Sequence, residues 1–297
     1  MTKDNSMEHA IDKKIVKGKS LQEVQPHTKY MACTFYLDYV DGEDLQGTEF
    51  DNCSFRGAFR DWGRDTYGLW MAISYKNIRQ VMRWIRPGTF IMGSPSTEMS
   101  RQADETQHKV IISKGFWLAE TACTQELWKA VTGWSGSSFA VDNCPADDVN
   151  WDDCQTFINK WNSEMVEWEL CFPTEAQWEY ACRAGTTTAF SFGDNIAKDQ
   201  VNYDLKRTAA VKSRPCNDWG LYEMHGNVCE WCEDWYGEYD STVVMDPVGP
   251  SDGTDRVMRG GCCSDSSGNV RSAARYKFWP NENFGEVGFR FCLRSKK

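Results

Sequence analysis

Four cysteines stand where thiol chemistry would be expected: Cys229 and Cys232, spaced C-x-x-C, and the adjacent pair Cys262 and Cys263. A C-x-x-C pair can hold a soft metal, but a tetrahedral zinc site needs a second pair to supply four ligands. The sequence has no such second pair, and His9, His27, His108 and His225 have no metal-like spacing. The 13 cysteines are scattered rather than framework-spaced, and Cys154 and Cys182 fall on apolar helix stripes, the usual place of small buried thiols. That usage points to a reducing compartment or an anaerobic life.

Cys262 and Cys263 open the most unusual text in the chain, the segment from Arg256 to Cys292. Fixed-looking blocks, Arg259-Gly260-Gly261, Arg271-Ser272-Ala273 and Gly288-Phe289-Arg290, enclose CCSDSSGNV, YKFW and NENFGEV, which have neither helical nor alternating periodicity. Gly260-Gly261 permits a backbone approach that a Cβ would block. Arg271, Arg275 and Arg290 can tie loops down through planar multi-donor hydrogen bonds. Side chains without periodicity and without bulk do not build a core, so the filling is expected to point outward.

The elements that must position this segment are legible upstream. QVMRWIRPGTFIMGS reads as two strands around Pro87-Gly88, and HKVIIS and GFWLAE as two more. Three helices have readable starts. Thr124 caps TQELWKAVTG, with Leu127, Trp128 and Val131 on one face and Gly133 as its end. Asn150 precedes WDDCQTFINKW, which places Cys154, Phe157, Ile158 and Trp161 at helical spacing. Thr174 and Gln177 form a capping box for TEAQWEYACRAG, closed by Gly185. The final hundred residues or so carry short strands and loops thick with Gly, Asn, Asp and Trp, which makes an α+β domain with a loop-rich C-terminal half.

Before this domain, residues 1–28 are charged and aperiodic and read as a mobile lead-in. Residues 29–66 carry an apolar beat of five at Phe35, Val40, Leu45, Phe50 and Phe55, which resembles pentapeptide-repeat sequence. Five repeats make little more than one solenoid coil, so ordinary strands and turns packed on the main domain, 67–297, are expected, with a solenoid turn as the alternative.

The chain has 297 residues, enough for a substantial core, and its 14 Trp beside 15 Phe and 11 Tyr favour an irregular, aromatic-rich interior or a binding surface. A formal charge of −10 argues against nucleic acid as partner, since phosphate contact needs a basic surface. No apolar run is long enough to span a bilayer, and the opening MTKDNSMEHAIDKKIVKGK lacks an apolar signal core.

GTFIMGS, DETQHKVIISKGFWLAETACTQELW, VNWDDCQTFINKWN, LCFPTEAQWEYACRAG, NDWGLYEMHGNVCEWCEDWY, RVMRGG and a terminal GFR occur in this order from about Tyr67 onward. Together they resemble the formylglycine-generating-enzyme (sulfatase-modifying factor) family. The resemblance implies a C-type lectin-like fold with few regular elements. It also implies copper(I)-dependent oxidation of a target cysteine, with two thiolates beyond the Gly-Gly block, because soft thiolates suit copper(I). The matching positions here hold Asp265 and Val270 or a neighbour, while Cys262 and Cys263 are adjacent and too close to the Gly-Gly turn. The catalytic pair is therefore missing, and a non-enzyme is expected, with a copper-dependent oxidase or an inactive relative as alternative. The family's structural calcium loop corresponds to GLYEMHGNVCEW, which would supply the carboxylates of Glu223 and Glu230 and the carbonyls of Gly226 and Val228. No other cofactor is implied.

The frame-and-filling text itself resembles the variable region of proteins diversified by retroelements, the spirochaete variable proteins most of all. Such systems randomise template adenines, often in AAC codons, which can then never encode Lys, Glu, Gln, Met or Trp. None of these occurs from Cys262 to Val270 or at Ala274, Tyr276 or Phe278, whereas Lys277, Trp279, Glu282 and Glu286 need other codons or constant status. The resemblance implies a ligand face made of Cys262, Cys263, Ser264, Asp265, Ser266, Ser267, Asn269, Val270, Ala274, Tyr276, Phe278, Trp279, Asn281, Asn283 and Phe284. Its aromatic residues would anchor and its small polar ones adapt. The expected ligand is a protein or a surface glycoconjugate. A displayed binder belongs at the cell surface or outside it, with the cytoplasm as the alternative.

Overall fold

The computed structural model describes residues 9–12, 15–18, 28–31, 34–37, 49–51, 54–57, 61–135, 137, 140–165 and 168–295. The chain divides into two compact units, one of residues 1–65 and 69–73, the other of 66–68 and 74–297.

The first unit holds β1 (His9–Asp12), β2 (Ile15–Gly18), β3 (Thr28–Met31), β4 (Thr34–Leu37), β5 (Glu49–Asp51) and β6 (Ser54–Gly57). They form two parallel sheets, β1-β3-β5 and β2-β4-β6. His9 faces Thr28 and Lys29 faces Glu49, offsets of 19 and 20 residues, and Thr34 faces Ser54 at the same spacing. Parallel ladders offset by 19 or 20 residues, close to four five-residue steps, are the geometry of solenoid rungs. This is the pattern of the solenoid alternative, because ordinary neighbouring strands would pair as antiparallel hairpins. β1 and β2 fall within the expected lead-in, 1–28, and are paired with β3 and β4; most of its other residues lie outside the described ones. Val40 and Leu45 of the beat lie outside the described residues, while Phe35, Phe50 and Phe55 fall on β4, β5 and β6. Two further strands follow, β7 (Trp62–Asp65) and β8 (Gly68–Tyr75).

In the second unit the chain runs β9 (Ile78–Ile85), β10 (Gly88–Met92), β11 (His108–Ile112), β12 (Phe116–Ala119), α1 (Gln125–Thr132), α2 (Trp151–Asn162), β13 (Trp168–Cys171) and α3 (Glu175–Arg183). It then continues through β14 (Cys229–Trp235), β15 (Val244–Met245), β16 (Arg256–Arg259), β17 (Arg275–Phe278), β18 (Val287–Gly288) and β19 (Cys292–Ser295). Three sheets result, with β10-β11-β15 in one, β13-β19-β12-β9 in the next and β17-β16-β14-β18 in the third. The strands on either side of Pro87-Gly88 therefore belong to different sheets.

All three helices start where their capping residues predict. Thr124 accepts from the Leu127 N–H, Asn150 from that of Asp153, and Thr174 and Gln177 exchange both bonds of a capping box. α1 ends on Gly133 as expected, but α3 ends on Ala184, left-handed at φ 46°, one residue before Gly185.

The apolar stripes of α1 and α2 meet in an aromatic core. Trp128 stacks on Phe157 at 5.4 Å, and Phe289 meets both rings edge-on. Trp117, Trp128, Trp178 and Trp231 are fully buried, which removes much apolar area from water where regular structure is sparse. From Thr186 to Val228 the chain has turns and isolated bridges only. The loop-rich half is thus held by side-chain contacts more than by ladders.

Candidate binding face and its buried frame

The fixed blocks of the closing segment put four arginines into the interior: Arg259 at the end of β16, Arg271 in the loop beyond it, Arg275 at the start of β17 and Arg290 after β18. Arg259 is fully buried. It pairs with Glu175 at 3.2 Å and with Glu179, and donates to the Ser272 carbonyl at 2.7 Å. Arg275 grips both oxygens of Glu175, at 2.8 and 2.9 Å, with its guanidinium 3.8 Å over the Tyr239 ring. Arg271 spans Glu98 at 2.6 Å and Glu105 at 2.7 and 2.8 Å, and Arg290 holds both oxygens of Glu230 at 2.6 and 2.7 Å.

Burial by itself would raise the Glu175 carboxyl, but Arg275 and Arg259 outweigh it and hold the group below its ordinary value. Burial likewise opposes ionisation of Glu105, and hydrogen bonds from Arg271 and Ser94 prevail. These pairs are shielded from water, so removing one partner would leave an uncompensated buried charge. The glycine turn completes the frame. Gly260 and Gly261 adopt φ of 93° and 66°, and a Cβ on Gly261 would meet Val270 Cγ1 at 2.8 Å.

The filling divides into exposed and buried parts. Ser264, Ser266, Ser267 and Asn269 are exposed, as are Trp279, Asn281, Asn283 and Phe284, while Asp265, Tyr276 and Phe278 are half-buried. Tyr276 donates to the Asn269 carbonyl at 2.9 Å, and Phe278 packs against Phe284 at 5.3 Å and Trp279 at 6.0 Å. Asn283 is exposed yet anchored, donating to the Asp148 carbonyl at 2.7 Å and accepting from Asn150 at 2.8 Å.

Four residues expected on the face are buried instead: Cys262, Cys263, Val270 and Ala274. Val270 packs with Ala189, Phe190 and Val201. The Cys263 N–H donates to the Asn227 carbonyl at 3.0 Å, and its carbonyl accepts from Leu205 at 2.7 Å. The segment therefore docks into the 189–227 loops at Cys263 and Val270, a contact made far along the chain that no local periodicity announces. Burial pushes the Cys262 thiol up to about 11 and that of Cys263 to about 12. Glu286 was not expected on the face. It joins through its Oε2, which accepts from the Ser264 hydroxyl at 3.4 Å and the Cys262 thiol at 3.9 Å.

The loop around Glu223 has a different character. Its carboxylate is buried and its φ is 48°; burial outweighs the lowering influence of the Lys212 and Arg214 backbone N–H groups and raises its pKa to about 7. It lines a small cavity together with Ser191, Gln200, Asn217 and His225. The Ser191 N–H donates to His225 Nε2 at 3.1 Å, so Nδ1 carries the proton and donates to the Val270 carbonyl at 2.8 Å. Burial lowers His225 to about 4, which keeps the ring neutral. Of the four residues that the calcium resemblance names, Glu223 offers oxygens to a cation. The Glu230 carboxylate is already neutralised by Arg290 and bonded to Trp178 Nε1 at 2.7 Å. An ion held by this set would have to share Glu230 with the buried Arg290 guanidinium, which leaves Glu223 as its uncommitted carboxylate.

Residues 74–295 match the model of the sulfatase-modifying factor enzyme 1-like domain. The chain belongs to that family. A formylglycine-generating enzyme of Streptomyces coelicolor is 34% identical over 185 residues, 55% of this chain and 57% of that protein. The serine/threonine-protein kinase pkn1 of Chlamydia caviae is 42% identical over 130 residues, 42% of this chain and 21% of that protein. The chain thus spans about a fifth of the kinase relative and little more than half of the enzyme. Among solved structures, Treponema denticola variable protein 1 superposes with a TM-score of 0.69 at 25% identity, covering 76% of this chain and 99% of that one. The fold is the α+β, C-type lectin-like fold of the formylglycine-generating-enzyme type. Among the described residues, no helix is long and apolar enough to cross a membrane, and no three His, Cys, Asp or Glu side chains converge as a metal site.

Where the resemblance would put the family's thiolates, the chain has Asp265, whose carboxylate accepts from the Cys262 N–H at 2.9 Å, and Val270, enclosed in apolar contacts, or a neighbour of it. The residues present do not fit copper(I). Sequence reasoning anticipated Arg271, Arg275 and Arg290 as ties. It missed the carboxylates that receive them, because Glu98 and Glu105 lie 173 and 166 residues from Arg271.

Proposed function

We propose that this chain is a non-catalytic ligand-binding protein whose binding face is the filling of the 256–292 segment, diversified by a retroelement. The observation that carries the reading is the division within one short stretch. Four arginines lock its fixed blocks through buried ion pairs, while Ser264, Ser266, Ser267, Asn269, Trp279 and Phe284 stand exposed. A rigid scaffold with mutable side chains on one face binds with little backbone change. The similarity to Treponema denticola variable protein 1 supports the same reading. Trp279 and Phe284, each 56% exposed, would anchor the contact, with serines and asparagines adapting around them.

Two observations test this directly. A reverse transcriptase gene beside this one, with an imperfect copy of the DNA for 256–292 differing at adenines, is the expected genomic setting. Substitutions at the exposed positions should abolish binding of a selected peptide without lowering thermal stability; stability losses at most of them would reject the reading.

The second reading, a copper-dependent cysteine oxidase, is favoured by the identity to formylglycine-generating enzymes. It requires two thiolates, and the buried thiols of Cys262 and Cys263 oppose it. Stoichiometric copper(I) binding with O2 uptake on a thiol peptide would establish it, and the absence of both would end it.

A structural calcium ion enters the proposal through Glu223 alone. Calcium that raises Tm in the native chain but not in Glu223→Gln would support it, and an unchanged Tm would remove it. Placement of the protein at the cell surface follows from the proposed display function, and protease accessibility on intact cells would test it.

A further inference from the structure

The binding face has a charge pattern that sets it apart from the frame. Glu98, Glu105, Glu120, Glu175, Glu179 and Glu230 each meet an arginine or lysine inside the domain. Asp265 and Glu286, on the face, do not. Asp265 accepts from neutral donors, the Cys262 N–H at 2.9 Å, Asn269 Nδ2 at 3.2 Å and Tyr276 Oη at 3.5 Å. Glu286 receives the Ser264 hydroxyl and the Cys262 thiol. Among the described residues neither carboxylate is paired with a cation. Cys262 touches both, which places them on adjoining ground.

An aromatic side chain borders Asp265, whose Oδ2 lies 3.5 Å from the Tyr276 hydroxyl. Tyr276 and Phe278 alternate onto one side of β17, and Phe278 carries Phe284 and Trp279 against it. Arg275 and Lys277, the cations of the same strand, lie 4.5 and 4.7 Å from the Tyr236 ring and so belong to the other side. The frame itself displays what such a combination holds. Arg275 lays its guanidinium over Tyr239 while giving two hydrogen bonds to Glu175. The face repeats the ring and the carboxylate and lacks the guanidinium.

We infer that this face recognises an arginine side chain presented by a protein partner, stacked on the aromatic group and hydrogen-bonded to Asp265 and Glu286. The inference rests on the reading of this segment as a ligand face and names its partner chemistry. Arginine suits the site better than lysine because its planar fork stacks on rings, meets two carboxylate oxygens at once and is less strongly hydrated. The chain's formal charge of −10 would steer a cationic partner inward and speed encounter at low salt. If the positions vary as proposed, the preference for arginine belongs to this sequence and not to its siblings.

The test titrates the full chain with hexa-arginine, hexa-lysine and hexa-citrulline peptides, citrulline being the neutral isostere of arginine. Hexa-arginine is expected to bind about tenfold or more tightly than hexa-citrulline, and more tightly than hexa-lysine. Asp265→Asn, Glu286→Gln and Phe284→Ala should each weaken it about threefold or more, with Tm unchanged. Asp252→Asn and Glu126→Gln, exposed acids elsewhere, should leave it unaltered. Equal affinity for the citrulline peptide, or equal losses in the remote variants, would overturn the inference. A random dodecapeptide library separates this from the underlying reading. Face-dependent peptides enriched in arginine support both. Face-dependent peptides without arginine sink this inference and leave the ligand face standing. Peptides indifferent to Trp279→Ala and Phe284→Ala sink both.

Discussion

Within the 256–292 segment, Arg271 and Ser266 stand five residues apart and live under opposite rules. Arg271 is 2% exposed and makes hydrogen bonds to Glu98, Glu105, Ser100 and Gly268, whereas Ser266 is exposed and serves as a turn residue. The difference teaches where the information that specifies the fold resides. Folding is secured by a few buried, multiply bonded charges, each joined to carboxylates far away in sequence. Exposed side chains between them, such as Ser266 and Ser267, carry no such tie, which is what a changeable surface requires.

The hardest way to break the comparison is to remove a frame arginine. Arg290→Ala should cost about 3–5 kcal/mol in chemical denaturation, because Glu230 would be left buried and unpaired. A loss under about 1 kcal/mol would mean the arginines are not the frame.

The Glu223 loop provides a next, pH-dependent test. Its folded pKa, about 7, lies above the ordinary value of 4.5, so folding favours the protonated acid. Its stabilising contribution is full below about pH 4.5 and is lost as pH rises through about 7. Glu223→Gln should therefore gain on the order of 2–3 kcal/mol at pH 8 and almost nothing at pH 4, read from urea unfolding at both values. Equal effects at the two pH values would contradict the buried-acid description.

Val270→Ala sharpens the boundary between frame and filling. Losing two buried methyl groups beside Phe190 and Val201 should cost about 1–3 kcal/mol. Alanine at Ser264, Ser266, Ser267 or Asn269 should shift stability by no more than about 0.5 kcal/mol each, measured by thermal melting.

Legibility in the sequence followed the same division. Thr124, Asn150 and the Thr174–Gln177 box announced the helices because capping is settled within four residues. Arg271, Arg275 and Arg290 were recognisable as ties from their blocks, whereas Arg259, whose partners Glu175 and Glu179 lie 84 and 80 residues away, was not. The inward turn of Cys263 and Val270 was not either, since it depends on docking against residues 189–227, which no neighbour in sequence encodes. Glu286 escaped for a similar reason: its approach to Cys262 and Ser264 is made across the fold. The parallel ladders of the first unit were visible only as a beat of five, because the register that makes a rung joins residues 19 or 20 apart.

The central claim is that stability and binding are carried by different residues of one segment. A saturation scan of residues 256–292, scored for thermal stability and for binding of one selected peptide, tests it most directly. The account predicts that Arg259, Arg271, Arg275, Arg290, Gly260, Gly261 and Val270 fail on stability, while Ser264, Asp265, Ser266, Asn269, Trp279 and Phe284 fail on binding alone. If the two sets of positions coincide, the division into frame and face is contradicted.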